Sequence, residues 1–230
     1  MSSLAPDVAT VLTTQPEVSH VGPIRRSSLL FSQDQAADSL YLIQEGLVKL
    51  VRRSDTGSRM ILCISGPKEL IGEEGLSETL SAYQADAEAL TICSGYRIPR
   101  QTIANLVPSN TDFAASLINL LLQKKLALAQ KVELLCFRDV EFRILHYLAE
   151  LSELVQATAN GEGHQLPITQ AELADLIGAT RETTSTTLNQ LERKGLVKLS
   201  RRLLTVPSPA TLRSVISNKE IPSQAAAGSL

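Results

Sequence analysis

The residues best suited to chemistry in this chain are Arg181 and Glu182, a guanidinium beside a carboxylate. Against duplex DNA each has a use: arginine donates two hydrogen bonds to guanine O6 and N7, and glutamate accepts one from cytosine N4. The neighbouring residues supply a frame. Thr169-Gln170-Ala171-Glu172 has the spacing of a capping box, with the threonine hydroxyl capping the first turn and the glutamate reaching back. The helix it opens buries Leu173, Leu176 and Ile177 and stops at Gly178, where a left-handed backbone is cheap. Thr180 then caps a second helix that turns Thr184, Leu188 and Leu191 inward. The same spacing turns Arg181, Glu182, Ser185, Thr186 and Asn189 outward. Helix, short turn and helix with an arginine-bearing polar face make the shape that enters a major groove. Thr169, Gln170, Thr180, Ser185 and Asn189 are expected to hold phosphates or secondary base edges.

Charge agrees locally. Residues 181 to 213 hold seven basic residues and two acids, a net +5 on a chain whose total is −2. Arg201 and Arg202 sit between the apolar runs 196–199 and 203–206, at an expected hairpin tip that can lie along the phosphate backbone. Composition removes several other classes. With 43% hydrophobic residues, the 230-residue chain can bury real cores, and disorder throughout is excluded. Aromatics at 3% and no tryptophan argue against a stacked single-strand binding surface. Cys63, Cys93 and Cys136 show no metal or disulfide spacing and fit a reducing cytoplasm. The first twenty residues lack the basic start and apolar run of a secretory signal, and no stretch is long enough to span a membrane. No nucleophile–base pairing, metal spacing or glycine-rich phosphate loop marks an enzyme.

These residues need elements to carry them. Residues 1–21 read as a flexible tail, and 214–230 as another. Residues 22–108 carry short strand-like runs at regular spacing, with Glu45-Gly46 and Ser54-Asp55-Thr56-Gly57 as turns. That pattern suggests an antiparallel sandwich or barrel. Residues 109–137 read as one long helix opened by Ser109, Asn110 or Thr111. It carries more leucine than one side of a small domain needs, so its natural partner is the same helix of a second subunit. Residues 138–213 hold a further helix, the two-helix motif and a small hairpin. The fold class is α+β.

The chain resembles the cyclic-AMP receptor protein and Fnr family of transcription regulators, over about residues 22 to 206. The resemblance rests on Leu40-Tyr41-Leu42-Ile43-Gln44-Glu45-Gly46, Leu70-Ile71-Gly72-Glu73-Glu74-Gly75-Leu76, Phe137-Arg138-Asp139-Val140, Arg181-Glu182-Thr183 and Leu191-Glu192-Arg193-Lys194-Gly195-Leu196-Val197. It implies an N-terminal effector-type β-roll, a dimerisation helix and a C-terminal winged helix-turn-helix. The implied activity is that of a homodimer, paired through residues 109–137, binding a two-fold symmetric double-stranded DNA site. Activation through RNA polymerase is implied as well.

The departures from that pattern concern the effector. Nucleotide-binding members hold ribose with a Gly-Glu pair, matched by Gly72 and Glu73, and the cyclic phosphate with Arg-Ser, matched here by Tyr83 and Gln84. Two hydroxyl residues that receive the base are matched by Leu128 and Ala129. A phosphate without a cation is poorly compensated. Cyclic AMP is therefore not the expected cofactor, and the pocket is vestigial, filled by side chains or suited to another ligand. An iron–sulfur sensor lacks ligands, because no cysteine precedes Cys63. A second base-reading arginine of the family is Thr186 here, which leaves a G·C-containing half-site core as the expectation. The rival reading is a small-molecule- or protein-binding module that has lost specific DNA readout.

Overall fold

The computed structural model describes residues 6–77, 79–157, 163–200 and 203–220, and the chain divides into two compact units, residues 1–132 and 133–230. In the first unit the strands are β1 (Ser19–Ile24), β2 (Leu29–Phe31), β3 (Ser39–Glu45), β4 (Val48–Arg53), β5 (Arg59–Ser65), β6 (Leu70–Ile71), β7 (Asp86–Ala89) and β8 (Cys93–Pro99). They form two four-stranded antiparallel sheets, ordered β1-β8-β3-β6 and β2-β7-β4-β5. The expected turn at Ser54 to Gly57 joins β4 to β5, with Val48 opposite Ser65 and Arg53 opposite Arg59.

The strand β3 is buried on both faces, which is why its sequence is a nearly unbroken apolar run. Side chains alternate along a strand. Tyr41 and Ile43 point into the roll with Phe31, Val48, Ile71, Tyr83, Ala87 and Cys93. Leu40 and Leu42 point the other way, into a second cluster with Leu12, Leu70, Ile98, Ile103, Phe113, Leu117 and Leu120. The helices supply that second cluster: α1 (Pro6–Thr13), α2 (Arg100–Ser109) and α3 (Thr111–Phe137). Of the three residues offered as openers of the long helix, Asn110 does the capping, accepting from the backbone N–H of Phe113 at 2.9 Å.

Both ends correct the sequence reading. Residues 6–13 are helical rather than tail, and Leu12 is wholly buried. The eight-residue helix is too short to stand out by period, yet Leu12, with Ala9 and Val11 beside it, packs on the cluster of β3, β8 and α3. The helix α2 stands at the end of the residues read as a β module. Its Ile103 is buried and Pro108 lies inside its last turn.

The second unit holds α4 (Val140–Leu154), β9 (His164–Leu166), α5 (Gln170–Ile177), α6 (Arg181–Arg193), β10 (Lys198–Leu199), β11 (Leu204–Val206) and α7 (Pro209–Glu220). The three strands form one antiparallel sheet, ordered β10-β11-β9. The expected C-terminal tail, residues 214–230, is helical as far as Glu220. Ser208 caps α7, accepting from Thr211 N–H at 3.1 Å; Leu212 is fully buried, and Arg213 pairs with Glu153 of α4.

Truncating a fully buried leucine costs about 2–5 kcal/mol. Leu12→Ala is expected to lower the urea midpoint accordingly, and an unchanged midpoint would remove α1 from the core.

Candidate nucleic-acid interface

The helix pair is built as its sequence spacing requires. Thr169 Oγ1 accepts from Glu172 N–H at 3.1 Å, and Glu172 Oε2 accepts from Thr169 N–H at 2.8 Å, a complete capping box. Gly178 ends α5 at φ 64°, a left-handed conformation that suits glycine. Thr180 caps α6, its hydroxyl accepting from Thr183 N–H at 3.1 Å. On α6, Thr184, Leu188 and Leu191 are wholly buried. Thr184 Oγ1 donates back to the Thr180 carbonyl at 2.8 Å, so even the polar member of the inward face is satisfied.

The outward face carries the residues singled out from sequence. Thr180, Arg181, Glu182, Thr186 and Asn189 are exposed, and Ser185, Thr169 and Gln170 are half-buried. Glu182 lies in the first turn, where a carboxylate is favoured by the helix dipole. The hydroxyl of Thr169 is engaged within its capping box, where it also donates to Glu172 Oε2 at 2.8 Å. Arg201 and Arg202, the expected hairpin tip, lie outside the described residues. The hairpin leading to them is present, closed by Ser200 N–H donating to the Leu203 carbonyl at 3.1 Å.

Three positioning residues escaped the sequence reading. Arg143 of α4 donates to the Ile177 carbonyl at 2.7 Å, fastening the end of α5. Lys194 pairs with Glu141 at 2.7 Å, which ties the end of α6 to α4. Glu192 accepts from Leu199 N–H at 2.8 Å and so holds β10 against α6. All three contacts bridge different elements, and no local pattern announces them.

In the first unit, several of the positions matched to an effector pocket have partners within the chain. Gly72 has φ 81°, and a Cβ there would meet Tyr83 Cε1 at 3.2 Å. Tyr83 is 1% exposed, stacked on Phe31 with ring centroids 3.9 Å apart, and its hydroxyl donates to the Ser39 carbonyl at 2.6 Å. Burial holds that phenol's pKa far above its ordinary value. Gln84 N–H donates to Glu74 Oε1 at 3.2 Å, and Arg52 donates to the Gln84 carbonyl at 2.7 Å. Glu73 pairs with Lys124 of α3 at 2.7 Å. Leu128 and Ala129 lie on the exposed stretch of α3. Among the described residues no cluster of His, Cys, Asp or Glu could hold a metal ion, and no helix is long and apolar enough to cross a membrane.

A roll followed by a long helix and a winged helix-turn-helix defines a class of transcription regulators, and comparison with known proteins agrees. A cyclic nucleotide-binding domain matches residues 23–110 and a Crp-like helix-turn-helix domain matches residues 142–215. The chain belongs to the Crp/Fnr family of transcription regulators. It is 29% identical over 187 residues to the cAMP-activated global transcriptional regulator CRP of Salmonella typhimurium, covering 81% of this chain and 89% of that one. A CRP-like cAMP-activated global transcriptional regulator of Mycobacterium tuberculosis is 26% identical over 178 residues, 76% of this chain and 78% of that one. Among solved structures, the c-di-GMP responsive regulator CLP of Xanthomonas campestris superposes with a TM-score of 0.74 at 22% identity, covering 88% of this chain and 99% of that one. FixK2 of Bradyrhizobium japonicum gives 0.72 at 19% identity, with 86% and 96% covered.

Removing a threonine N-cap costs about 1 kcal/mol. Thr180→Ala is expected to lower thermal stability by that amount, and Thr180→Ser to restore it. Equal melting temperatures for all three proteins would show that the cap does not hold α6.

Proposed function

We propose that the protein is a homodimeric, sequence-specific DNA-binding regulator that reads an inverted repeat through paired α6 helices and works without cyclic AMP. One observation carries this reading: α6 is split lengthwise, with Thr184, Leu188 and Leu191 buried and Arg181, Glu182, Thr186 and Asn189 exposed. Arg181 and Glu182 read a G·C-containing half-site core, while Ser185, Thr186 and Asn189 reach neighbouring edges and sugars. Gln170, at the first position of α5, and the helix that Thr169 caps meet a phosphate through N-terminal N–H groups. Thr180 borders the same groove. Arg201 and Arg202 extend the contact along the backbone. Two such helices one helical turn apart match a two-fold DNA site, and a bound dimer would regulate by touching RNA polymerase.

The dimer is supported by α3. Ile118, Leu121, Leu128 and Val132 are 59%, 38%, 56% and 53% exposed in the single chain. They recur at the a and d positions of a heptad, the pattern that pairs helices. Lys125 takes the a position between Ile118 and Val132, a polar residue of the kind that fixes register.

Cyclic AMP does not fit the residues present. A cyclic phosphate needs a cation or free donors, yet position 83 holds a buried ring whose hydroxyl is already spent on Ser39. The carboxylate of Glu73 already has a cation, Lys124. The relatives named as cAMP-activated therefore share the fold and the reading helix, not this control.

Arg181→Ala is expected to cost about 1–3 kcal/mol of affinity for a site selected from random duplexes, and to relax preference at one G·C pair. Binding that keeps both affinity and preference would overturn direct readout by α6. Wild-type affinity should fall steeply with salt as counterions are released, and added cyclic AMP should leave it unchanged.

A further inference from the structure

The helix α3 is held to the roll in two different ways along its length. At about 100° per residue, Phe113, Leu117, Leu120, Lys124 and Lys131 fall on one narrow face. The first three are buried in the helix-side core of the roll. Past Leu120 every position to Gln130 is exposed except Lys124, which is half-buried. Contact with the roll therefore passes from hydrocarbon to ammonium. Lys124 Nζ lies 2.7 Å from Glu73 Oε2, with side chains 18% and 32% exposed. Lys131 is buried, and its Nζ donates to the Ile61 carbonyl on β5 at 2.8 Å. The charge of Lys124 also acts on Glu69, a carboxylate only 8% exposed whose pKa burial pushes up and Ser65 and Lys124 draw back.

These contacts have a geometric consequence. The exposed apolar residues Ile118, Leu121, Leu128 and Val132 centre about a quarter-turn around the helix from the face that grips the roll. From Leu121 to Lys131, where hydrocarbon seating has ended, Lys124 and Lys131 make polar contacts with the roll. The cation that completes Glu73 comes from the chain itself.

We propose that the Glu73–Lys124 ion pair, backed by Lys131, is an internal clamp that sets the rotation of α3 and presents the seam from Ile118 to Val132 to a second copy of the chain with no effector bound. This rests on the homodimer reading above and deepens it: Glu73 of the roll and the dimerisation helix are joined by a side chain of the protein. The pair is more sheltered than a surface salt bridge, so breaking it leaves one partly buried charge without its counter-charge.

The test uses the full-length chain purified free of nucleotide. Dimer dissociation, by analytical ultracentrifugation, and affinity for a selected inverted repeat are measured for wild type, Glu73→Lys, Lys124→Glu and the double swap. Each single reversal is expected to weaken dimerisation on the order of tenfold, and the double swap to recover most of the loss. Should Lys124→Glu not fold, Lys124→Met keeps the stem, removes the charge and is expected to weaken dimerisation to a similar degree. Single variants equal to wild type, or a double swap no better than the singles, would overturn the clamp. So would a wild type that is monomeric throughout or that dimerises only when a cyclic nucleotide is added. A wild type that dimerises and shows the charge-swap recovery, yet binds no selected DNA, supports the clamp and defeats the DNA-binding reading instead.

Discussion

Burial of one strand on both its faces is the constraint on which the first unit depends. The strand β3 cannot choose a wet side: Tyr41 and Ile43 belong to the interior of the roll, Leu40 and Leu42 to the cluster under the helices. A one-residue slip would exchange the two sets and put the tyrosine where leucines now pack. Because Leu40 and Leu42 share their cluster with Phe113, Leu117 and Leu120, the start of α3 is seated by the same strand that closes the roll. That seat covers only the first turns of α3; beyond Leu120 the contacts to the roll come from Lys124 and Lys131.

The second unit solves a different problem, which is to show polar atoms outward without loosening the helix that carries them. Here the inward face of α6 is short and uses only Thr184, Leu188 and Leu191. The ends are therefore reinforced by polar contacts: the Thr180 cap at the start, the Lys194–Glu141 pair at the finish, and Glu192 reaching to β10. Groups that must meet a ligand at fixed spacing gain from such preorganisation, because less freedom remains to be lost on binding.

What could be read from sequence was what is local. The capping box, Gly178 and the inward triplet of α6 all lie within a few residues of one another, and their geometry is set by helix periodicity alone. The hairpin of β4 and β5 about the turn at Ser54 to Gly57 is legible for the same reason. By contrast, α1 announces itself with the single leucine Leu12, and α7 needs Leu212 to find its site in three dimensions. The Glu73–Lys124 contact joins residues 51 apart. Nothing local to Lys124 ties it to Glu73, so only the folded chain brings the two together.

The tyrosine at position 83 bears on how such a protein can change over time. Its ring is stacked on Phe31, closed off beside Gly72, and tied to the Ser39 carbonyl. An arginine placed there would give up the stacked ring and put a charge beside the apolar cluster of Phe31, Tyr41 and Ala87. Substitution at position 83 is thus constrained by packing on several sides, whereas the exposed positions of α6 carry no such constraint.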